Sequence, residues 1–307
     1  MKVVVLDSLF RTLDVEAEAA APLGARVEAW SGDPAELANA DVVAHVRTRV
    51  DAGLIGAMRR CRVIARFGTG LDTVDLAAAE TAGISVLGIR DYCLPELTSH
   101  TLLLAFALLR RLRETEGNLD LGWDGVAERT PIQRAEEAVV VGFGSVGTRV
   151  AAALIALGYQ VTVVTRHAAE EALAAGASVA SLEEALARGE LVLMTCALTD
   201  ETRGLIDERR LAAMRPRAIL VDTARLGLLD EASVAAALDA GTLGGLGLDA
   251  SLPATSPLRR FAADPRVLIT PHIGWYSERS ATELRRRTIA EALQLAGQTD
   301  NLEVSTI

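Results

Sequence analysis

The chain has a single lysine, Lys2; every other cationic side chain among its 307 residues is an arginine or a histidine. That excludes a lysine Schiff base to pyridoxal phosphate, a phosphate-binding Walker lysine, and any Tyr-x-x-x-Lys catalytic pair. Histidines are few as well: His45, His100, His167 and His272 are the main candidates for acid–base work near neutral pH. The three cysteines, Cys61, Cys93 and Cys196, lie far apart with no Cys-x-x-Cys spacing, which argues against a disulfide framework, a structural zinc or any other metal site. Reduced thiols suit a cytoplasmic protein. No apolar run reaches the roughly eighteen residues of a membrane span. The opening "MKVVVLDSLF" turns acidic too soon for a signal peptide. A net charge of −10 argues against nucleic-acid partners, which favour a basic surface.

What is present is an ordinary globular composition, 50% hydrophobic and 23% charged, long enough for two domains. Short apolar runs at residues 2–7, 41–46, 62–68 and 83–88 alternate with Ala-rich helical stretches such as 75–82. Such βαβ alternation predicts a parallel sheet. Residues 95–115 then read as one long apolar helix, followed by a linker-like stretch carrying Gly117, Gly122, Trp123, Gly125 and Pro131. A second alternation starts at Val139, with strands at 138–142, 160–164, 191–195, 218–223, 244–249 and 266–270, and a closing helix near 281–297.

The strongest local signal is "VVVGFGSVG", residues 139–147. Gly142 permits the tight strand-to-helix turn, Gly144 lets a pyrophosphate approach the backbone, and Gly147 lets the helix pack on the strand. Ser145 and Val146 open that helix, whose N-terminal N–H groups suit phosphates. At the end of the next strand an acidic residue would bind the ribose hydroxyls and repel a 2′-phosphate. Thr165 stands there instead, followed by Arg166 and His167. A hydroxyl beside a guanidinium suits a phosphate dianion, so NADP(H) is favoured over NAD(H).

"ARFGTGLDTVDLAAAETAGISV", "LTDETRGLIDERRLAAM", "ILVDTARLGLLDEASVAAALDAG", "GLGLDA" and "VLITPHIGWYSERS" occur in one order along nearly the whole chain. Together they resemble the D-isomer-specific 2-hydroxyacid dehydrogenases. "RDYCLPE" and the "WYSE" after the histidine are closest to the branch that includes the C-terminal-binding proteins. The resemblance implies an α/β protein of two Rossmann-like domains with parallel sheets. A substrate domain would come from both chain ends, residues 1–98 and 279–307, and a dinucleotide domain from 99–278, with a cleft between them. It implies a homodimer that reduces a small 2-keto acid to a 2-hydroxy acid with nicotinamide hydride.

Roles follow by resemblance. Arg225 matches the arginine that grips the substrate carboxylate and carbonyl, and His272 the proton donor to the carbonyl oxygen. Gly68, Thr69 and Gly70 match the loop whose N–H groups hold the carboxylate, and Tyr92 and Trp275 match walls of the substrate pocket. Asp249 matches a residue near the nicotinamide. His100, at the start of the long helix, is expected near the cofactor, together with Cys196, Thr223 and Ala224. If the strand before it continues, Arg47 and Arg49 share one side, and Arg47 is expected to reach the distal end of the substrate.

Several positions depart from the family pattern. Leu226 stands where a glycine is usual, Asp222 where asparagine is common, and Thr195-Cys196-Ala197 where His-x-Pro is expected. The largest departure is in "LDASLPATSPLRRF": no acid stands between Asp249 and Asp264, so no glutamate is assigned to partner His272. Two function classes stay open: an active NAD(P)H-dependent 2-keto acid reductase, or a nucleotide-binding regulator or scaffold with little turnover.

Overall fold

The structure is a computed structural model that describes residues 1–117, 119–129 and 135–298. It divides into two compact units, one of Met1–Tyr92 with the C-terminal stretch from Ser277, the other of Cys93–Tyr276.

The first unit carries β1 (Lys2–Val5), β2 (Arg26–Ala29), β3 (Val42–His45), β4 (Val63–Arg66) and β5 (Ser85–Gly88), all parallel in the order β2-β1-β3-β4-β5. Its inner strands are covered on both faces, so they read as continuous apolar runs; Val3, Val42, Val43, Val63 and Ile64 are fully buried. Strand β2 escaped the sequence reading because "RVEA" is a half-polar edge strand with no buried residue. The helix Glu278–Gln298 packs on β3, β4 and the helix Asp14–Ala20.

The second unit carries β6 (Glu137–Val141), β7 (Gln160–Val164), β8 (Ser178–Val179), β9 (Leu191–Met194), β10 (Ile219–Asp222), β11 (Gly245–Asp249) and β12 (Val267–Thr270). All are parallel, in the order β12-β11-β10-β9-β6-β7-β8. Val139, Val141, Val192 and Met194 enter one apolar layer, while Ala138, Val140, Leu191 and Leu193 enter the other. The chain leaves β6 towards β7 on one side and returns as β9 on the other. The carboxyl ends of β6 and β9 therefore flank a topological switch point, where such sheets bind ligands.

Three local expectations change. The helix expected over residues 95–115 is two helices, Leu94–Leu109 and Leu112–Glu116, with Arg111 left-handed (φ +49°) between them. The apolar run stops at Leu109, and the redirected turn lets Arg113 donate to the carbonyls of Ala262 (3.3 Å) and Val267 (3.0 Å). The linker-like stretch contains a helix, Gly122–Arg129, while its Pro131 lies outside the described residues. Strand β3 ends at His45, so strand alternation does not orient Arg47 and Arg49. The Asp7 carboxyl bends the chain there by accepting the N–H groups of Val46 (2.9 Å), Arg47 (2.7 Å) and Thr48 (3.3 Å). Among the described residues no helix is long and apolar enough to cross a membrane.

One buried ion pair fastens the two ends of the first unit. Arg285 grips fully buried Glu16 through Nε to Oε1 (2.8 Å) and Nη2 to Oε2 (2.6 Å), and its guanidinium lies 4.5 Å from the Phe10 ring centre. Removing one partner strands a buried charge, so Arg285→Met should cost roughly 3–5 kcal/mol of stability. The double variant Arg285→Met/Glu16→Leu should recover part of that loss. Urea unfolding of both variants checks this; a single variant as stable as the parent would show the pair to be dispensable.

Candidate functional site

The glycine loop after β6 divides its labour. Gly142 has φ +101°, and a Cβ there would stand 2.7 Å from the Cys196 main chain. A Cβ on Gly147 would stand 2.2 Å from the Gly142 carbonyl oxygen, so helix Ser145–Ala156 seats on the loop only with glycine there. Thr195, just past β9, completes the turn: its hydroxyl donates to the carbonyls of Val141 (3.1 Å) and Gly142 (2.9 Å). Gly144 differs. It caps the helix without a side-chain hydrogen bond, and a Cβ there would meet nothing within 4 Å. The open space lies at a helix N-terminus, over exposed Ser145 and beside half-buried Val146, which is the shape a pyrophosphate needs. These residues fit a dinucleotide.

At the end of β7 no acid appears. The Thr165 hydroxyl accepts the Ala168 N–H (3.2 Å), exposed Arg166 pairs with exposed Glu201, and His167 is exposed. Cys196 stays a thiol: burial, with Asp222 adding, pushes it up to about 11.

The acid–base candidate sits beyond β12. The Asp249 side chain, at the end of β11, is 1% exposed and is held by the end of β12 and the loop that follows it. Its Oδ1 accepts Thr270 Oγ1 (2.6 Å) and the Ile273 N–H (2.8 Å), and its Oδ2 accepts the Gly274 N–H (2.7 Å). His100 lies inside the helix Leu94–Leu109 rather than at its start; its Nε2 meets Thr270 Oγ1 at 2.9 Å and Asp249 Oδ1 at 3.7 Å. Held this way, His272 adopts φ +60° and brings Nδ1 to the Asp249 carbonyl oxygen (3.2 Å). A carbonyl only accepts, so Nδ1 carries hydrogen and Nε2 is the nitrogen left for chemistry. Trp275 closes the loop, its Nε1 donating to the His272 carbonyl (3.0 Å).

Past β10 the turn that carries Arg225 hangs on Asp222, whose Oδ1 accepts the N–H groups of Ala224 (2.8 Å) and Arg225 (3.1 Å). The half-buried Arg225 places Nη1 on the Ala224 carbonyl (2.8 Å), and Thr223 joins Thr101 hydroxyl to hydroxyl (2.7 Å). Arg225, His272, Asp249, His100, Trp275, Cys196 and the glycine loop thus all belong to the second unit.

Gly68, Thr69, Gly70, Arg47 and Tyr92 belong to the first. Gly68 has φ +139° beside the Arg66 guanidinium, its carbonyl accepts the Ile89 N–H (3.0 Å), and Thr69 Oγ1 donates to the Ile89 carbonyl (2.8 Å). The loop is therefore clamped to the chain after β5. Arg47 is exposed and Tyr92 half-buried. Burial, with Arg66 adding, pushes His45 down to about 4, so it stays neutral at physiological pH. Sequence reasoning missed Thr195, Thr270 and Thr101 as site supports. Their only signal was a threonine at two strand ends and one inside an apolar helix.

Residues 102–274 match the family model "D-isomer specific 2-hydroxyacid dehydrogenase, NAD binding domain". The chain is 33% identical over 257 residues to a D-3-phosphoglycerate dehydrogenase of Mycobacterium leprae, covering 81% of this chain and 47% of that one. It therefore spans about half the length of that relative. It is 30% identical to a putative 2-hydroxyacid dehydrogenase of Haemophilus influenzae over 80% of this chain and 81% of that one. In fold it is similar to the D-lactate dehydrogenase of Aquifex aeolicus, solved with NAD and lactic acid, at TM-score 0.87 and 23% identity, covering 97% and 96% of the two chains.

The different surroundings of the two glycines can be separated. Gly144→Ser supplies a good helix cap in open space, so melting should change by less than about 0.5 kcal/mol while dinucleotide affinity falls at least tenfold. Gly147→Ser should instead cost about 1–3 kcal/mol of stability through overpacking. Thermal melts and dinucleotide fluorescence titrations read both; unchanged affinity in Gly144→Ser would remove the loop from the binding site.

Proposed function

The chain belongs to the D-isomer-specific 2-hydroxyacid dehydrogenases, and from that premise we propose that it reduces a 2-keto acid to a D-2-hydroxy acid. The observation that supports this most is the Asp249 carbonyl on His272 Nδ1, which directs Nε2 as the proton-bearing atom. Bound reduced nicotinamide supplies the hydride that reaches the carbonyl carbon. His272 gives its Nε2 proton to the carbonyl oxygen and keeps its Nδ1 hydrogen on Asp249 throughout. Arg225 grips the substrate carboxylate through its planar fork. The loop Gly68–Gly70 as N–H donors to a carboxylate, Arg47 as the contact for a distal anionic group, and Tyr92 and Trp275 as walls belong to the same proposal. So do Asp249, His100, Cys196, Thr223 and Ala224 as neighbours of the cofactor, and a homodimer.

A second reading has its own observation: the hydrogen-bond partner of His272 Nδ1 is a neutral main-chain carbonyl, not a carboxylate. A regulator that binds dinucleotide with little turnover follows from it. Reduced-dinucleotide fluorescence, followed with glyoxylate, hydroxypyruvate and other 2-keto acids, separates the two. D-glycerate and D-3-phosphoglycerate serve in the reverse direction. Turnover should fall by about 100- to 10,000-fold in His272→Ala. Reduction consumes a proton, so its rate should decline as pH rises. A flat pH profile with an equally active alanine variant would remove His272 as the donor; binding without turnover on any acid would select the regulator.

For the cofactor, Thr165 and Arg166 support NADP(H) over NAD(H). The Arg166–Glu201 pair is exposed and contributes at most about 1 kcal/mol, so it releases the guanidinium at little cost. A 2′-phosphate contact of about 1.5–3 kcal/mol predicts roughly ten- to hundredfold tighter NADPH. Arg166→Ala should erase the difference. Equal dissociation constants for NADH and NADPH in the parent would end the preference.

A further inference from the structure

Asp222 holds the Arg225 turn through only one of its oxygens. It is 1% exposed, and Oδ1 already accepts two main-chain N–H groups. Its other oxygen, Oδ2, is buried with no hydrogen-bond partner. A buried carboxylate oxygen left bare is costly, whereas a buried carboxylic acid leaves only a neutral hydroxyl to accommodate. A second buried carboxyl, Asp249, ends the neighbouring strand β11, where Asp222 pairs in register with Leu248. Thr270, Ile273 and Gly274 donate to Asp249, and nothing comparable serves Asp222 Oδ2. Of two neighbouring buried carboxyls, the one with fewer donors keeps the proton more readily.

We propose that Asp222 is a positioning residue that holds the Arg225 turn as a neutral acid, and that loss of its proton weakens the grip of Arg225 on an anionic substrate. This rests on the reading of Arg225 as the carboxylate-binding arginine. The charged and titratable groups around Asp222 are Arg225 on its own turn, Asp249 from β11 and Cys196 after β9. From the helix Leu94–Leu109, which packs on β10, His100 turns to Thr270 and Asp249. Burial pushes the Asp222 carboxyl up to about 7, with Asp249 adding and the Ala224 and Arg225 donors and the Arg225 charge opposing. Below that value the residue is neutral, and no charge on Asp222 offsets the attraction of the guanidinium for an anion. Above it, a buried negative charge beside Arg225 offsets that attraction and repels the incoming carboxylate. Anion binding therefore takes up a proton near neutral pH, and affinity falls as pH rises.

The test uses the full chain loaded with reduced dinucleotide and oxamate, a non-reacting 2-keto acid analogue, as probe. Calorimetric titrations run from about pH 6 to 9 in buffers of different ionisation enthalpy, on the parent and Asp222→Asn, which keeps the Oδ1 acceptor and cannot ionise. In the parent, affinity should fall by up to about tenfold per pH unit above neutrality, with proton uptake on binding. Asp222→Asn should bind more tightly than the parent at the alkaline end, and in turnover the change should appear in KM rather than kcat. Carboxyl-carbon magnetic resonance of the aspartate-labelled parent should show one resonance titrating near neutrality. Parallel pH curves for parent and variant overturn the role of Asp222, as does the absence of any aspartate titrating in that range. No oxamate binding to the parent at any pH overturns the carboxylate role of Arg225 itself, an outcome distinct from parallel curves.

Discussion

The carboxyl of Asp249 holds the loop from Thr270 to Gly274 by three hydrogen bonds, and its main-chain carbonyl receives the His272 imidazole. Everything proposed for the acid–base chemistry depends on that arrangement. A non-glycine residue at φ +60° is strained by roughly 1–2 kcal/mol, and the strain persists here because the two N–H groups that follow are pinned to one carboxyl. The strained turn carries His272 Nδ1 onto a carbonyl, so a main-chain acceptor does the orienting for which no side-chain acid was assigned. Thr270 and His100 brace the carboxyl from behind, and Trp275 ties the far end of the loop back to the His272 carbonyl.

Both units are doubly wound parallel sheets, but their switch points are built to opposite ends. In the second unit, glycine strips the end of β6 of side chains, and Gly144 leaves open space before a helix N-terminus. In the first unit, the corresponding ends of β1 and β3 are stitched together by Asp7, whose carboxyl takes three N–H groups. Burial pushes that carboxyl up, but those donors outweigh burial and hold it below its usual value. An anion-binding nest already filled by the chain's own acid has no place for a phosphate. One architecture thus gives one nucleotide-competent sheet and one whose corresponding crevice is closed.

Much of the fold was legible because parallel strands buried on both faces must be apolar along their whole length. The runs at β1, β3, β4, β6, β9 and β10 could hardly be anything else in a βαβ alternation. Strands β2 and β8 were missed for the opposite reason. They are edge strands, one half-polar and the other of two residues, and pairing with a neighbour rather than burial makes them strands. The break after Leu109 was hidden because the carbonyls that take Arg113 after the turn, those of Ala262 and Val267, lie some 150 residues away in the chain.

At the candidate site the sequence determined chemical type: the glycine turn, the Thr-Arg at the end of β7, the arginine after β10, the histidine after β12, and the lack of an acid between residues 249 and 264. Those follow from local rules, since a turn, a strand end or a missing carboxylate is readable in a few consecutive residues. Tertiary structure alone decided who holds whom. It gave Asp249 to the His272 loop, His100 to Thr270, Thr195 to the glycine turn, and Asp222 to the N–H of Arg225 with one oxygen left bare. His100 and Thr270 are 170 positions apart, and the ends of neighbouring parallel strands join Asp249 to Ile273 and Thr195 to Gly142, residues 24 and 53 positions apart. Only the register of the sheet brings such residues within 3 Å.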